Sequence, residues 1–141
     1  MEPERARLRR LQRLERVRAI ARQAVALEAA AAESTLIQLE GLAERTRRMS
    51  EDYRSRDQAL TGHDLRQRGQ FLAGLQGLTA STSDDAARAR TLADARQQEL
   101  AQAERRRAAV EDRAVKAARD LAARRIAPVL SGRRRIGTGL E

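Results

Sequence analysis

ADARQQELAQAERRRAAVEDRAVKAARDL, residues 93–121, holds one residue phase from end to end. Alternating steps of three and four link Ala93, Arg96, Leu100, Ala103, Arg107, Val110, Ala114, Ala117 and Leu121. That spacing lines up a narrow stripe on an α-helix, and its persistence over several heptads marks a coiled-coil seam rather than the broad buried face of a globular helix. A seam needs a partner, and the first half of the chain carries one. Leu11, Leu14, Arg18, Ala21, Val25, Glu28, Ala32, Thr35, Leu39, Leu42, Thr46, Met49 and Tyr53 follow the same rule.

The composition supports long helices over a compact core. With one Phe, one Tyr and no Trp, and with alanine supplying much of the 41% apolar fraction, the chain has little bulky surface to bury. At roughly 25 cal/mol per Å² of apolar area, a compact ball would struggle to offset the entropy of ordering the chain. Charged residues reach 35% alongside abundant Ala, Leu and Gln, the signature of coiled coil. The only prolines, Pro3 and Pro128, lie near the ends, so the sequence between them is free to be helical. The lack of Cys excludes disulfides and thiolate metal sites. No apolar run approaches the roughly 18 residues of a membrane span, and the basic N-terminus leads into charged helix rather than the apolar region of a signal peptide. A cytoplasmic location is therefore expected.

Pro3, Glu2 and Glu4 suit a helix start. The first place to reverse is Thr61-Gly62-His63-Asp64, where Gly62 can turn left-handed and Thr61 or Asp64 can cap a new helix. The expected fold is all-α: a long antiparallel two-helix coiled-coil hairpin over residues 1–126 with its turn near 58–64, then a flexible basic tail over 127–141 that starts before Pro128 and Gly132. A short segment carries Phe71, Leu75 and Leu78, weakened by Gly69, Gly74 and Gly77 at up to ~1 kcal/mol each relative to Ala. Two capping-box spacings follow, Ser81 with Asp84 and Thr82 with Asp85, and they predict a break near residues 79–83. In an antiparallel pair, facing positions have a constant residue-number sum, here about 124 to 125. This places Tyr53 by Phe71, Leu39 by Ala86, Val25 by Leu100, Ala21 by Ala103, Leu14 by Val110 and Leu11 by Ala114. It also sets Glu28 against Arg96 and Arg18 against Arg107.

The charge is unevenly spread. Of the net +9, residues 1–22 hold +5 (eight Arg, three Glu) and residues 124–141 hold +4 (five Arg, one Glu), which leaves the middle neutral. A hairpin brings these two ends together as one basic pole, where Arg18 and Arg107 meet an acidic partner surface. The arginines from Arg5 to Arg18 circle their helix, and no aromatic lies among them to stack on bases. This disfavours single-stranded nucleic acid but not contact with phosphates.

No constellation for catalysis emerges. Gly132-Arg133-Arg134-Arg135-Ile136-Gly137-Thr138 echoes a phosphate-binding loop in its glycine spacing, but it lacks the lysine and follows no strand. His63 is the only histidine, so no histidine pair exists for a metal or for acid–base work. The carboxylates are scattered among arginines as salt-bridged helix surface. The expectation is a non-enzymatic protein with no cofactor, no metal and no small-molecule substrate.

Leu39, Leu42, Glu51-Asp52-Tyr53-Arg54, a Gly-containing turn and Phe71-Leu72 with Leu75 resemble the FliJ family, small coiled-coil proteins of the flagellar (type III) export apparatus. The run Glu104-Arg105-Arg106-Arg107 through Val110-Glu111-Asp112-Arg113 is similar to that family's second helix. The resemblance covers roughly residues 8 to 125. It implies a hairpin similar to the coiled-coil shaft of the rotary ATP synthase γ subunit, contact with the hexameric export ATPase and the export gate protein, and escort of export chaperones. It also implies membrane association only through those partners, at the cytoplasmic face of the inner membrane. On matching positions, the family's gate-contacting cluster carries over to Tyr53, Phe71 and Leu75, while other positions of that cluster read Leu42, Met49 and Thr82 here. Arg18 and Arg107 complete the expected partner-binding residues. A generic coiled-coil scaffold and a basic nucleic-acid-associated helical protein are the alternatives that the residues alone leave open.

Overall fold

A computed structural model describes residues 2–56 and 61–136, with side chains to Ile126. Two helices, α1 (Glu2–Ser55) and α2 (Gly62–Ile136), pack against each other as an all-α hairpin. Glu2 and Glu4 stand in the first turn of α1 and Arg54 in its last, each favourable to the helix dipole. Thr61 caps α2 as its type predicts: the Asp64 N–H donates to Thr61 Oγ1 at 3.1 Å, and the Leu65 N–H to the Thr61 carbonyl at 3.1 Å. Gly62 is the first residue of α2 and has no positive φ. The left-handed role expected for it is not used, because the hydroxyl cap already satisfies the helix start. Of the expected turn near 58–64, residues 58–60 lie outside the described residues.

Two expectations about α2 are corrected. There is no break near 79–83, since α2 is continuous through that stretch. Of the two cap candidates, Thr82 instead donates back into its own helix, from Oγ1 to the Thr79 carbonyl at 3.1 Å, as its neighbour Thr79 does to the Leu75 carbonyl at 2.7 Å. Nor does the helix end near Ile126, for its backbone runs to Ile136. Pro128 lies inside that span, where it lacks the N–H for one ladder hydrogen bond and is unfavourable to the helix. Residues 137–141 of the expected tail lie outside the described residues.

By its contacts the chain divides into two units, Met1–Val25 with Leu100–Glu141, and Ala26–Glu99. In the second, Ala32, Leu36 and Ala93 form a buried cluster with Ala89 against it. Glu28 pairs with Arg96 at 3.4 Å, and Glu40 pairs with Arg90. In the first, Val110, Ala114 and Leu121 are buried. Arg22 reaches Glu104 at 2.6 Å, and Arg124 pairs with Glu4.

The α2 seam is as the sequence predicts, and it extends back in the same steps through Ala89, Ala86, Thr82, Thr79, Leu75, Leu72 and Arg68, all buried or half-buried. On α1 only alternate members hold. Leu11, Arg18, Val25, Ala32, Leu39, Thr46 and Tyr53 are shielded. The intervening positions fall one residue later than expected, at Glu15, Ala29, Leu36, Ala43 and Ser50. Leu14, Ala21, Glu28, Thr35, Leu42 and Met49 lie exposed beside the seam. Hydrophobicity selects the leucines and Met49, whereas close helix approach selects the smaller Ala29, Ala43 and Ser50. With that shift a single sum of 125 describes the pairing, as in Ala32 with Ala93 and Leu36 with Ala89.

This phase predicts an asymmetry between two equally apolar stripes. Leu36→Ala, at a residue only 5% exposed, should cost about 2 kcal/mol. Leu42→Ala and Met49→Ala should stay within about 0.5 kcal/mol of the parent. Urea melts followed by circular dichroism measure both, and equal losses would refute the phase.

Candidate functional site

Near the end of α1, Tyr53 and the early turns of α2 build an aromatic site within the second unit. The rings of Tyr53 and Phe71 lie 4.6 Å apart, tilted by 56°, within the centroid spacing at which aromatic pairs attract. The Arg68 guanidinium sits 5.7 Å from the Tyr53 ring centroid. Its Nη2 donates to the Tyr53 carbonyl at 3.0 Å, satisfying an acceptor that the last helical turn leaves free. The sequence pairing of Tyr53 with Phe71 is therefore realised. Phe71 remains 51% exposed, so its outer face is open to a partner.

Leu75 behaves differently. It is 7% exposed and belongs to the seam opposite Ser50, so it faces α1 rather than solvent. Exposed apolar residues that the seam reading misplaced or left out are strung along the hairpin on the same side as Phe71: Met49, Leu42, Leu78 and Leu92. Each immediately precedes a seam residue, which puts all of them on one flank of the antiparallel pair. Leu92 accordingly shares a groove with Glu28 and Thr35 of α1. Continuing the α2 seam backward from Ala93 in steps of three and four would have identified Phe71, Leu78 and Leu92 as flank positions. A second groove, of about 360 Å³, lies along Met49 and Tyr53 and is rimmed by Arg45, Arg48, Asp52 and Arg56.

The other flank is ionic. Glu44 receives hydrogen bonds from Arg47 and Arg48, and these hold its carboxyl at about 2 instead of the usual 4.5. Arg47 bridges on to Glu51 at 2.5 Å, and its guanidinium pKa is raised by Glu44 first.

The first unit concentrates positive charge. Its residues include nineteen Arg and Lys against eight Asp and Glu, a net +11, while the second unit has ten against twelve, a net −2. Arg18 and Arg107 both occupy the seam at a sum of 125 and are half-buried. Arg107 is neutralised along its own helix by Glu104 and Glu111, each at 2.8 Å. Glu104 is held below the usual carboxylate range by Arg107 first and by Arg22 across the seam. Arg18 differs, because its Nε is enclosed without a hydrogen-bond partner among the described residues.

His63 is exposed at the start of α2. Among the described residues no group of three His, Cys, Asp or Glu side chains could hold a metal, and no helix is long and apolar enough to cross a membrane. Comparison of the chain with family models, curated proteins and solved structures gives no match.

The lowered carboxyls set a pH dependence. A carboxyl with a depressed folded pKa contributes stability that is fully present above its unfolded value and is lost as pH falls through the folded one. For Glu44 that window runs from 4.5 down to about 2, and Glu104 shifts in the same direction. At low salt the Tm should therefore fall from pH 5 to pH 2, and fall less in the Glu44→Gln, Glu104→Gln double variant. An equal fall in both proteins would contradict these pairings.

Proposed function

We propose that this chain is a non-catalytic coiled-coil component of the flagellar (type III) protein export apparatus, working in the cytoplasm by binding the export ATPase and the export gate protein and escorting export chaperones. The observation that carries the reading is the half-exposed Phe71 against Tyr53 in a helical hairpin. That pair sits in the sequence context, Glu51 to Arg54 and Phe71-Leu72, that resembles the FliJ family. Segregation of charge supports a two-surface binding protein: the net +11 unit suits an acidic partner, and the apolar flank suits an apolar one. Complementary charge would speed encounter and fix orientation. A large exposed aromatic anchor is the type of residue that dominates interface energetics.

At the basic surface, Arg18 is the residue of interest. Its buried, unpartnered Nε costs stability in the free protein, a cost that an acidic group from a partner would relieve. Arg107, already held by two glutamates, is the less available of the two.

Capture of purified export ATPase and of the export gate's cytoplasmic part separates the surfaces. Phe71→Ser should weaken gate binding about ten-fold or more while ATPase capture is retained. Arg18→Leu should raise the Tm by about 2–4 °C and weaken ATPase capture in a salt-dependent way. Undiminished capture of both partners by both variants would refute the proposal.

A further inference from the structure

Between Ala43 and Thr82 the second unit is assembled unlike the rest of that unit. Its seam positions pair Ala43 with Thr82, Thr46 with Thr79 and Ser50 with Leu75. Thr46, Ser50 and Thr82 are buried polar residues at 4%, 6% and 4% exposure, and all fall in this stretch. The threonine hydroxyls are satisfied within their own helices: Thr46 donates to the Leu42 carbonyl at 2.7 Å, and Thr79 and Thr82 to Leu75 and Thr79. Parting the helices here breaks none of these bonds and returns the hydroxyls to water. Leu75 is the one buried large apolar residue among the described residues of the stretch. Farther along the same unit the helices are joined by the Ala32, Leu36 and Ala93 cluster and by ion pairs of Glu40 with Arg90 and Glu28 with Arg96.

The α2 side of the stretch is also weak as a helix. Gly69, Gly74 and Gly77 fall within nine residues, yet a Cβ at any of them would meet nothing within 4 Å, and none has a positive φ. The fold does not require glycine at these positions, so their consequence is a lower local helix stability. Against this, one set of contacts joins the last turn of α1 to the early turns of α2. The Arg68 Nη2 donates to the carbonyls of Tyr53 at 3.0 Å and Arg54 at 3.4 Å, and Phe71 packs on Tyr53 at 4.6 Å.

We infer that residues 43–55 of α1 and 62–82 of α2 form a segment that opens as a unit, latched by Arg68, Tyr53 and Phe71, while the pairing around Leu36 and Ala93 stays closed. Opening exposes Leu75 and the seam hydroxyls. Local cooperative openings of this kind follow low buried apolar area and weak intrinsic structure. The device is independent of which partner the protein takes.

Hydrogen exchange of the full chain, read by mass spectrometry and corrected for intrinsic rates, tests it. Protection over residues 65–80 should be about ten-fold or more below that over residues 86–96. The Arg68→Ala, Phe71→Ala double variant should lower protection over 65–80 by a further ten-fold or so while leaving 86–96 within about two-fold. The Gly69→Ala, Gly74→Ala, Gly77→Ala variant, which adds only helix-favouring methyls, should raise protection over 65–80 alone. Equal protection of the two stretches, or variants that move both together, would overturn the inference.

Discussion

An antiparallel seam of small side chains has to be told its register, and that constraint organises this molecule. Alanine opposite alanine packs closely but reads almost the same after a slip of one heptad. A slip that changed the pairing sum from 125 to 132 would bring Arg96 opposite Leu36, and one to 118 would set it opposite Arg22. Both outcomes cost Arg96 its carboxylate partner across the seam, and the slip to 118 sets two guanidinium groups against each other. In the observed register Arg96 reaches Glu28 across the seam, Arg22 reaches Glu104, and the single tyrosine meets the single phenylalanine. Exposed ion pairs stabilise little individually, yet here they decide between alignments that the alanines leave nearly equal.

How much of this was legible follows from the same physics. The α2 seam could be read completely from Ala93 to Leu121, because there each three-or-four step lands on a residue that is shielded. On α1 the reading chose Leu14, Leu42 and Met49 over Glu15, Ala43 and Ser50, since hydrophobicity alone ranks them that way. The structure reverses the choice because one continuous phase shields Glu15, Ala29, Leu36, Ala43 and Ser50 together. Small residues allow close approach at Ala29, Ala43 and Ser50, while Glu15 and Leu36 follow from the phase alone. Ser81-Asp84 and Thr82-Asp85 read as helix starts for a related reason. A capping residue and a seam hydroxyl have the same chemistry, and only the heptad phase running back to Thr79 and Thr82 distinguishes them. The pairings of Tyr53 with Phe71 and Glu28 with Arg96 were legible because they follow from the register itself. The exposure of Phe71 and the burial of Leu75 were not, since they depend on the placement of a flank within a single helical turn.

The misplaced stripe matters for function. Leu42 and Met49, read first as core, become exposed surface on the flank that carries Phe71, so the apolar flank is larger than the sequence reading allowed. Leu75 moves the other way and is reachable only when the surrounding segment opens. On the basic unit, Arg107 is closed off by its own glutamates while Arg18 keeps an unanswered donor.

Disulfide trapping tests the register directly, because the chain has no native cysteine and a disulfide demands Cβ atoms about 3.5–4.5 Å apart. Ala32→Cys combined with Ala93→Cys should oxidise rapidly to a cross-linked monomer. Ala32→Cys with Ala86→Cys, or with Leu100→Cys, represents a one-heptad slip in either direction and should stay reduced under the same conditions. Equal oxidation of all three pairs, or disulfide-linked dimers from the first, would contradict the account.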